Sequence, residues 1–202
     1  MAGSSRPGDR PAAGSDGVTV VPVTAATWPA LVDLFGPAGA SNGCWCQYWL
    51  LGPGYHRRPR VQNRDDLQRS VLSGPPPGLL AVDGAGTALA WCRVGPRSEL
   101  GWLDRRPASA PVDDRPVWSV SCFYVRRDAR RQGWTSVLVD AAVEHARRHD
   151  APAVEACPVD TAIPGATRNL FPGVASVFLR AGFTEVARRV PDRPVLRREL
   201  QR

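Results

Sequence analysis

The most constraining feature of this sequence is a strand-like run followed by a basic turn and a glycine-started helix. Residues 117–125 are the most strand-like segment of the chain, and 134–148 carry apolar side chains at helical spacing. Gly133 stands between the two, directly after Arg130, Arg131 and Gln132. The first N–H groups of a helix lack partners within it, and the helix dipole adds partial positive charge there. The segment therefore predicts an anion site, and a diphosphate is its natural occupant.

Two better-known phosphate patterns do not fit this segment. A P-loop needs a lysine, and the chain contains none. The dinucleotide pattern Gly-x-Gly-x-x-Gly does not occur at this turn, which also lies late in the chain. A basic surface helix that happens to begin at Gly133 is the alternative interpretation. Spacing alone does not decide between it and an anion site.

The other periodic segments predict the order strand, two helices, three strands, helix, strand, helix and two strands. Asn63 is the predicted N-cap of the second helix, 96–115 is a predicted long loop, and Gly182 is expected to stop the last helix. The strands on either side of helix 134–148 are expected to be parallel neighbours. This predicts a mixed α/β sheet, mostly antiparallel and flanked by helices. The predicted ranges are 18–23, 24–35, 63–72, 78–82, 87–94, 117–125, 134–148, 153–157, 173–180, 183–190 and 195–200.

Length and composition indicate a single domain without a membrane span. The 202 residues can bury one full core, and no apolar run approaches the roughly 20 residues that cross a bilayer. Residues 1–17 are rich in Gly, Ser, Pro and charge and lack a secretory signal's apolar middle. We expect a disordered tail over 1–17, one domain over 18–202 and a cytoplasmic protein without membrane contact.

The charge and the cysteines narrow the function classes. The net charge is +7 and all 26 basic residues are arginine, which suits a nucleotide-like cofactor or nucleic acid. No basic repeat or aromatic-interleaved motif supports nucleic-acid binding. Five cysteines and no secretory signal argue against a disulfide framework. Cys44 and Cys46 lack a second pair at zinc spacing, so no metal is expected.

These features together resemble the GNAT N-acetyltransferase superfamily. Its acyl-CoA signature, Arg/Gln-x-x-Gly-x-Gly/Ala, stands here as Arg130-Arg131-Gln132-Gly133-Trp134-Thr135, five residues after a strand end at Val125. The order of elements also matches the family, as does the closing helix and Gly-Phe segment over 173–183. The resemblance spans about residues 18–200. It implies the GNAT fold, with the fourth and fifth strands parallel and splayed apart.

The resemblance implies acetyl-CoA as co-substrate and a direct transfer of its acetyl group to an amine. The backbone of Phe123 and Val125 would bind the acyl carbonyl and the pantetheine arm, and amides from Gln132 to Ser136 would hold the pyrophosphate. The implied cofactor-binding residues are Phe123, Tyr124, Val125, Arg130, Arg131, Gln132, Gly133, Trp134, Thr135 and Ser136.

Three departures from the family pattern concern the cofactor approach and catalysis. Thr135 replaces the usual second Gly or Ala. Phe178 stands where many relatives have a tyrosine acid, and Ser119 stands where some have a glutamate base. Ser176 is our candidate for the acid, although a packing serine is the simpler interpretation. A non-catalytic acyl-CoA-binding regulatory or interaction module is therefore the alternative function.

The acceptor side is expected to come from the N-terminal helices and the loops. Residues 44–51 and Trp102 supply aromatic walls that suit an apolar or cationic acceptor. Glu155 and Asp160, near the end of the fifth strand, are candidate partners for a cationic amine. Cys122 is expected to pack in the core rather than act as a nucleophile. The acceptor is an amine of a small molecule, peptide or protein, and a homodimer is one oligomeric state we consider.

Overall fold

A seven-stranded mixed sheet organises residues 17–200, the part of the chain that the computed structural model describes. The expected tail lies outside the described residues apart from Gly17, as do residues 201–202. The strands are β1 Thr19–Pro22, β2 Gly78–Val82, β3 Ala88–Pro96, β4 Trp118–Val125, β5 Ala153–Ala156, β6 Thr184–Val190 and β7 Arg193–Glu199. The helices are α1 Trp28–Phe35, α2 Tyr48–Leu51, α3 Arg60–Ser73, α4 Gly101–Arg105, α5 Trp134–Arg148 and α6 Ala175–Arg180.

The strand order confirms the predicted fold class. The sheet runs β1-β2-β3-β4-β5-β7-β6. Its pairs are antiparallel except for β4 and β5, which are parallel. The crossover between these two strands contains α5, as a parallel connection requires.

Helices cover both faces of the sheet. Because strand residues alternate between the faces, each strand contributes side chains to both cores. Cys92, with Val94 and Val120, packs against Leu138 and Ala142 of α5 in the larger core. Neighbouring Trp91 points to the opposite face, where α1 and α3 cover the sheet. A third, smaller cluster joins Trp49, Leu100, Leu103, Cys157 and Val195 at the end of the sheet where β4 and β5 part.

A β-bulge marks the place where β4 leaves β5. Arg93 of β3 is opposite Cys122, whereas the next residue, Val94, is opposite Val120. Ser121 is therefore the extra residue, and a bulge of this kind bends the strand that carries it. Pairing between β4 and β5 ends at Val120. Residues 121–125 continue along β3 without β5, which produces the predicted splay.

Two local predictions were wrong. Asn63 does not cap α3, which begins at Arg60; it lies one turn inside and its Nδ2 donates to the carbonyls of Gly43 and Tyr55 at 2.8 and 3.1 Å. A tertiary role, bridging two loops, replaced the local one. The predicted loop 96–115 contains α4 and two short 3₁₀ turns, and Trp102 of α4 lies against Gly52.

Candidate active site

The N-terminus of α5 presents a row of free backbone donors. Within residues 17–200, the amides of 131–135 donate to no protein acceptor. Arg131 and Gly133 both adopt left-handed conformations, with φ of 64° and 86°, which turns the chain sharply into the helix. A Cβ on Gly133 would meet no heavy atom within 4 Å. Unpartnered amides around open space at a helix start fit an anionic group such as a diphosphate.

The predicted phosphate-site residues lie around this turn. Arg130 and Arg131 are exposed, and neither forms an ion pair with the described residues. Gln132 is also exposed, and its Nε2 donates to the Asp128 carbonyl at 3.2 Å.

The other signature residues divide between core and turn. The Trp134 side chain is buried against the sheet, so only its backbone faces the turn. The half-buried Thr135 follows it. The Ser136 amide donates to the Gly133 carbonyl at 2.9 Å. The free amides are therefore one residue nearer the turn than the predicted set.

The unpaired half of β4 is held by side chains and a loop in place of β5. Trp49 Nε1 donates to the Ser121 carbonyl at 2.6 Å. The Phe123 amide donates to the Phe171 carbonyl at 2.7 Å. Phe171 lies in the connection between β5 and α6, so this connection takes the backbone donor that we assigned to an acyl carbonyl.

A cavity of about 450 Å³ opens beside this half of β4, within the usual range for small-molecule sites. Cys122, Phe123 and Tyr124 line it from β4, and residues between Ala40 and His56 line it from the segment around α2. The aromatic lining confirms that residues 44–51 contribute to a pocket, although Trp102 does not line it. The aromatic members of the lining are Tyr48, Trp49, Tyr55, Phe123, Tyr124 and Phe171.

A sulfur pair lies at the base of the cavity. The Sγ atoms of Cys46 and Cys122 are 3.5 Å apart, and Trp91 Nε1 donates to Cys46 Sγ at 3.0 Å. The hydrogen bond from Cys122, with the nearby charge of Arg93 and the Trp91 donor, lowers the pKa of Cys46 against the effect of burial. Burial raises the pKa of Cys44, which also lines the cavity, to about 12.

Glu155 belongs to a buried ion network rather than to the cavity. Its side chain is 1% exposed and accepts from Arg97 Nη1 at 2.7 Å and from Arg197 Nη2 at 2.6 Å. Arg197 also pairs with Asp113 at 2.6 Å, and these carboxylates raise the pKa of Arg197. Asp160 pairs with Arg188 at 2.9 Å. Both candidate partners for an amine are thus engaged with arginine.

The positions expected to carry acid and base lie apart from the cavity. Phe178 is fully buried between Phe123 and Phe183. Ser119 is buried opposite Glu155, in the paired half of β4. Ser176 is exposed on α6 and is not among the residues lining the cavity.

Sequence reasoning missed several residues of the cavity wall. Tyr55 and His56 stack with ring centroids 3.8 Å apart, and both line the cavity. Arg106 and Phe171 line it from two other segments. An aromatic run signalled the nearby 44–51 segment, but nothing local distinguishes Arg106 or Phe171 in the sequence.

Two features are absent from residues 17–200. No group of three or more His, Cys, Asp or Glu side chains is arranged to hold a metal ion. No helix in this part of the chain is both long and apolar enough to cross a membrane.

Comparisons with known proteins agree with this geometry. The family model described as "Acetyltransferase (GNAT) family" matches residues 45–168. No sequence among the curated proteins matches the chain significantly.

Several solved structures share the fold at low sequence identity. yncA of Salmonella typhimurium, solved with its cofactor acetyl-CoA, is 15% identical with a TM-score of 0.52 over 92% of this chain and 95% of its own. The phosphinothricin acetyltransferase of Sinorhizobium meliloti, in complex with AcCoA, is 15% identical with a TM-score of 0.52, covering 91% and 89%. The histone acetyltransferase HPA2 and related acetyltransferase of Corynebacterium glutamicum is 19% identical with a TM-score of 0.55, covering 92% and 98%.

Proposed function

The chain belongs to the GNAT acetyltransferase family, and from that premise we propose that it is an N-acetyltransferase that uses acetyl-CoA. The observation that carries the proposal is the row of free amides over 131–135 at the start of α5, next to the parted end of β4. Such amides would bind the pyrophosphate, and the exposed Arg130 and Arg131 would add full charges. The S. typhimurium and S. meliloti neighbours were solved with acetyl-CoA.

The proposed reaction is a direct transfer at the parted edge of β4. The neutral amine attacks the acetyl carbonyl carbon, a C–N bond forms and the C–S bond breaks. The amine nitrogen loses one proton and the leaving thiolate takes up one, so the transfer is balanced. Within the chain, the Phe123 amide would stabilise the developing oxyanion after exchanging its bond to the Phe171 carbonyl. Positioning of the two reactants in the cavity would supply much of the rate.

The role of Ser176 as the proton donor to the thiolate remains part of this proposal. Its exposed position on α6 requires that the thiolate lie along that face of the helix. Ser176→Ala should lower kcat, with acetyl-CoA binding unchanged. An unaltered kcat would remove Ser176 from the mechanism.

Isothermal titration with acetyl-CoA tests the cofactor site. Gly133→Asp should weaken binding about 100-fold or more, a loss of roughly 3 kcal/mol, because it adds a negative charge and a Cβ at a φ of 86°. Gly86→Asp is the matched control, since Gly86 has a φ of 82° and similar open space but lies in the β2–β3 turn. Equal affinities of the two variants would contradict the proposed site.

A non-catalytic acyl-CoA-binding module is the second candidate. Its support is the bond between the Phe123 amide and the Phe171 carbonyl, together with Phe178 and Ser119 at the acid and base positions. Thiol release in an acceptor screen that includes phosphinothricin, the compound in the S. meliloti neighbour's name, separates the two functions. Turnover lost in Gly133→Asp but kept in Gly86→Asp identifies the enzyme. Binding without turnover identifies the module.

A further inference from the structure

The cavity beside β4 has an unbalanced charge. Arg106 and Arg193 both line it, and His56 adds a third basic side chain. None of its described lining residues is an aspartate or glutamate. A site built for a purely cationic amine would place carboxylates in its wall, since opposite charges offset the cost of removing the amine from water.

Arg106 is held in place without being neutralised. Its side chain is half-buried, and its Nη1 donates to the Tyr48 hydroxyl at 2.7 Å. Its guanidinium carbon lies 5.8 Å from the centroid of the Trp49 ring. Within residues 17–200 it forms no ion pair. Tyrosine and tryptophan orient the guanidinium, yet its full positive charge remains uncompensated.

Arg193 contributes less free charge than Arg106. Its Nε pairs with the Asp192 carboxylate at 3.2 Å, and its Nη2 lies 3.4 Å from the Arg168 carbonyl. Of the two cavity arginines, Arg106 is therefore the one whose charge is not paired with a carboxylate. A guanidinium of this kind binds planar oxyanions with two parallel hydrogen bonds.

We propose that the acceptor is a small amine that also carries an oxyanion, either a carboxylate or a phosphorus oxyanion, and that Arg106 binds that oxyanion. The inference rests on the proposed function and names its substrate class. The amine would lie toward Phe123 and Tyr124 of β4, and the oxyanion toward Arg106. The cavity volume of about 450 Å³ suits a molecule of amino-acid size.

Matched acceptors test this proposal by thiol release from acetyl-CoA. Each proteinogenic α-amino acid is compared with its carboxamide, which keeps the amine and removes the charge. Aminomethylphosphonate, glycine and glycinamide form a further set that separates a phosphorus oxyanion from a carboxylate. We expect kcat/KM to be at least about tenfold higher for the preferred oxyanion than for its neutral partner, because charged hydrogen bonds contribute that much.

Substitution of Arg106 tests whether this residue causes the preference for an acceptor that carries an oxyanion. Arg106→Gln should raise KM for the preferred acceptor about tenfold or more with little change in kcat, and should leave the carboxamide unaffected. Arg106→Lys keeps the charge but loses the planar fork, so its KM for the preferred acceptor should lie between those of the parent and Arg106→Gln. Arg105→Gln is the control, since Arg105 is exposed and is not a lining residue. Thermal unfolding of each variant checks that it remains folded.

The outcomes separate this inference from the function on which it rests. Failure to bind acetyl-CoA in titration would overturn the proposed acetyltransferase itself. Binding with turnover limited to neutral or cationic amines would overturn only the oxyanion proposal, whereas binding without turnover of any amine would identify the non-catalytic module. An equal rise in KM for an amino acid and its carboxamide in Arg106→Gln would also overturn only the oxyanion proposal.

Discussion

The two halves of β4 share one strand but differ in what holds them. Residues 118–120 pair with β3 on one side and β5 on the other. Residues 122–125 pair with β3 alone, and the opposite edge faces the cavity wall and a loop. The bulge at Ser121 separates the halves. Because the first half has two strand neighbours, it is the more rigidly determined of the two.

Side chains reinforce the same division. The paired half lies beside the buried Glu155 network, and the ring of its Trp118 packs edge-on against His145, with ring centroids 5.6 Å apart. The unpaired half is held by single bonds, from Trp49 to the Ser121 carbonyl and from the Phe123 amide to a loop carbonyl. Under the proposed function, this difference separates stability from function along one strand, because the half with single, replaceable partners is the half on which we place the substrates.

The largest expected effect is on the paired half. Glu155→Gln removes the buried carboxylate that Arg97 and Arg197 share, while Asp104 and Asp113 each remain paired with one of the two arginines. We therefore expect the free energy of unfolding to fall by about 3 kcal/mol, the low end of the cost of breaking a buried ion pair. Urea denaturation measures it. Acetyl-CoA affinity of the folded variant should be unchanged if stability and function are separated in this way.

A surface carboxylate gives the matched control for this substitution. Glu199 pairs with Arg115 at 2.8 Å, but its side chain is 58% exposed. Glu199→Gln should therefore cost less than about 1 kcal/mol. Equal costs for Glu155→Gln and Glu199→Gln would show that the buried network does not stabilise the paired half.

The next effect comes from protonation of His145, which packs on Trp118 in the same half. Burial, with the nearby charges of His149 and Arg148, lowers the pKa of His145 to about 4 from 6.5. Between these values the unfolded chain binds the proton and the folded chain does not, so stability falls as the pH falls. The limit is about 3 kcal/mol at pH 4. Urea denaturation from pH 7 to pH 4 measures it.

Because carboxylates also titrate near pH 4, the test is a difference between two proteins. His145→Leu removes the ionisation and should lose less stability than the parent between pH 6.5 and pH 4. Parallel curves for the two proteins over this range would contradict the lowered pKa. Acetyl-CoA binding, which we propose to involve the other half of β4, should not follow the His145 titration.

The sequence predicted the features that depend on local contacts and missed those that depend on distant ones. The predicted bounds of β2 and α5 agree with the structure, because apolar periodicity and turn residues are local signals. The free amides at the start of α5 were also predictable, since the first N–H groups of any helix lack partners within it. The left-handed conformation of Gly133 was not predicted. The parallel pairing of β4 and β5 followed from the intervening helix.

Residues whose roles depend on distant partners were not predictable. Glu155 looked like an exposed carboxylate near a strand end, yet two arginines far along the chain enclose it. Asn63 has a good capping side chain, but the loops at Gly43 and Tyr55 take its amide. Arg106 has no local signal at all, because its importance comes from the absence of acidic neighbours around a cavity formed by several segments.

The smallest expected effect concerns Cys46, on the cavity side of the unpaired half. Its pKa is lowered chiefly by the hydrogen bond from Cys122, whereas burial raises the pKa of Cys157, another lining thiol, to about 11. Thiolates are the reactive form. Cys46 should therefore react with iodoacetamide before Cys157 at neutral pH, as peptide mass mapping would show.

Removal of the Cys122 thiol tests the cause of this reactivity. Cys122→Ala takes away the donor, so the pKa of Cys46 should rise and its alkylation at pH 7 should slow a few-fold, with the midpoint of its pH profile moving upward. The midpoint of the pH profile decides the test. The alkylation rate alone does not, because the smaller alanine side chain also gives iodoacetamide easier access to Cys46. Cys157→Ala removes a cavity thiol that does not contact Cys46, so it should leave the profile in place. An unmoved midpoint in Cys122→Ala would assign the lowered pKa of Cys46 to Arg93 and Trp91 instead.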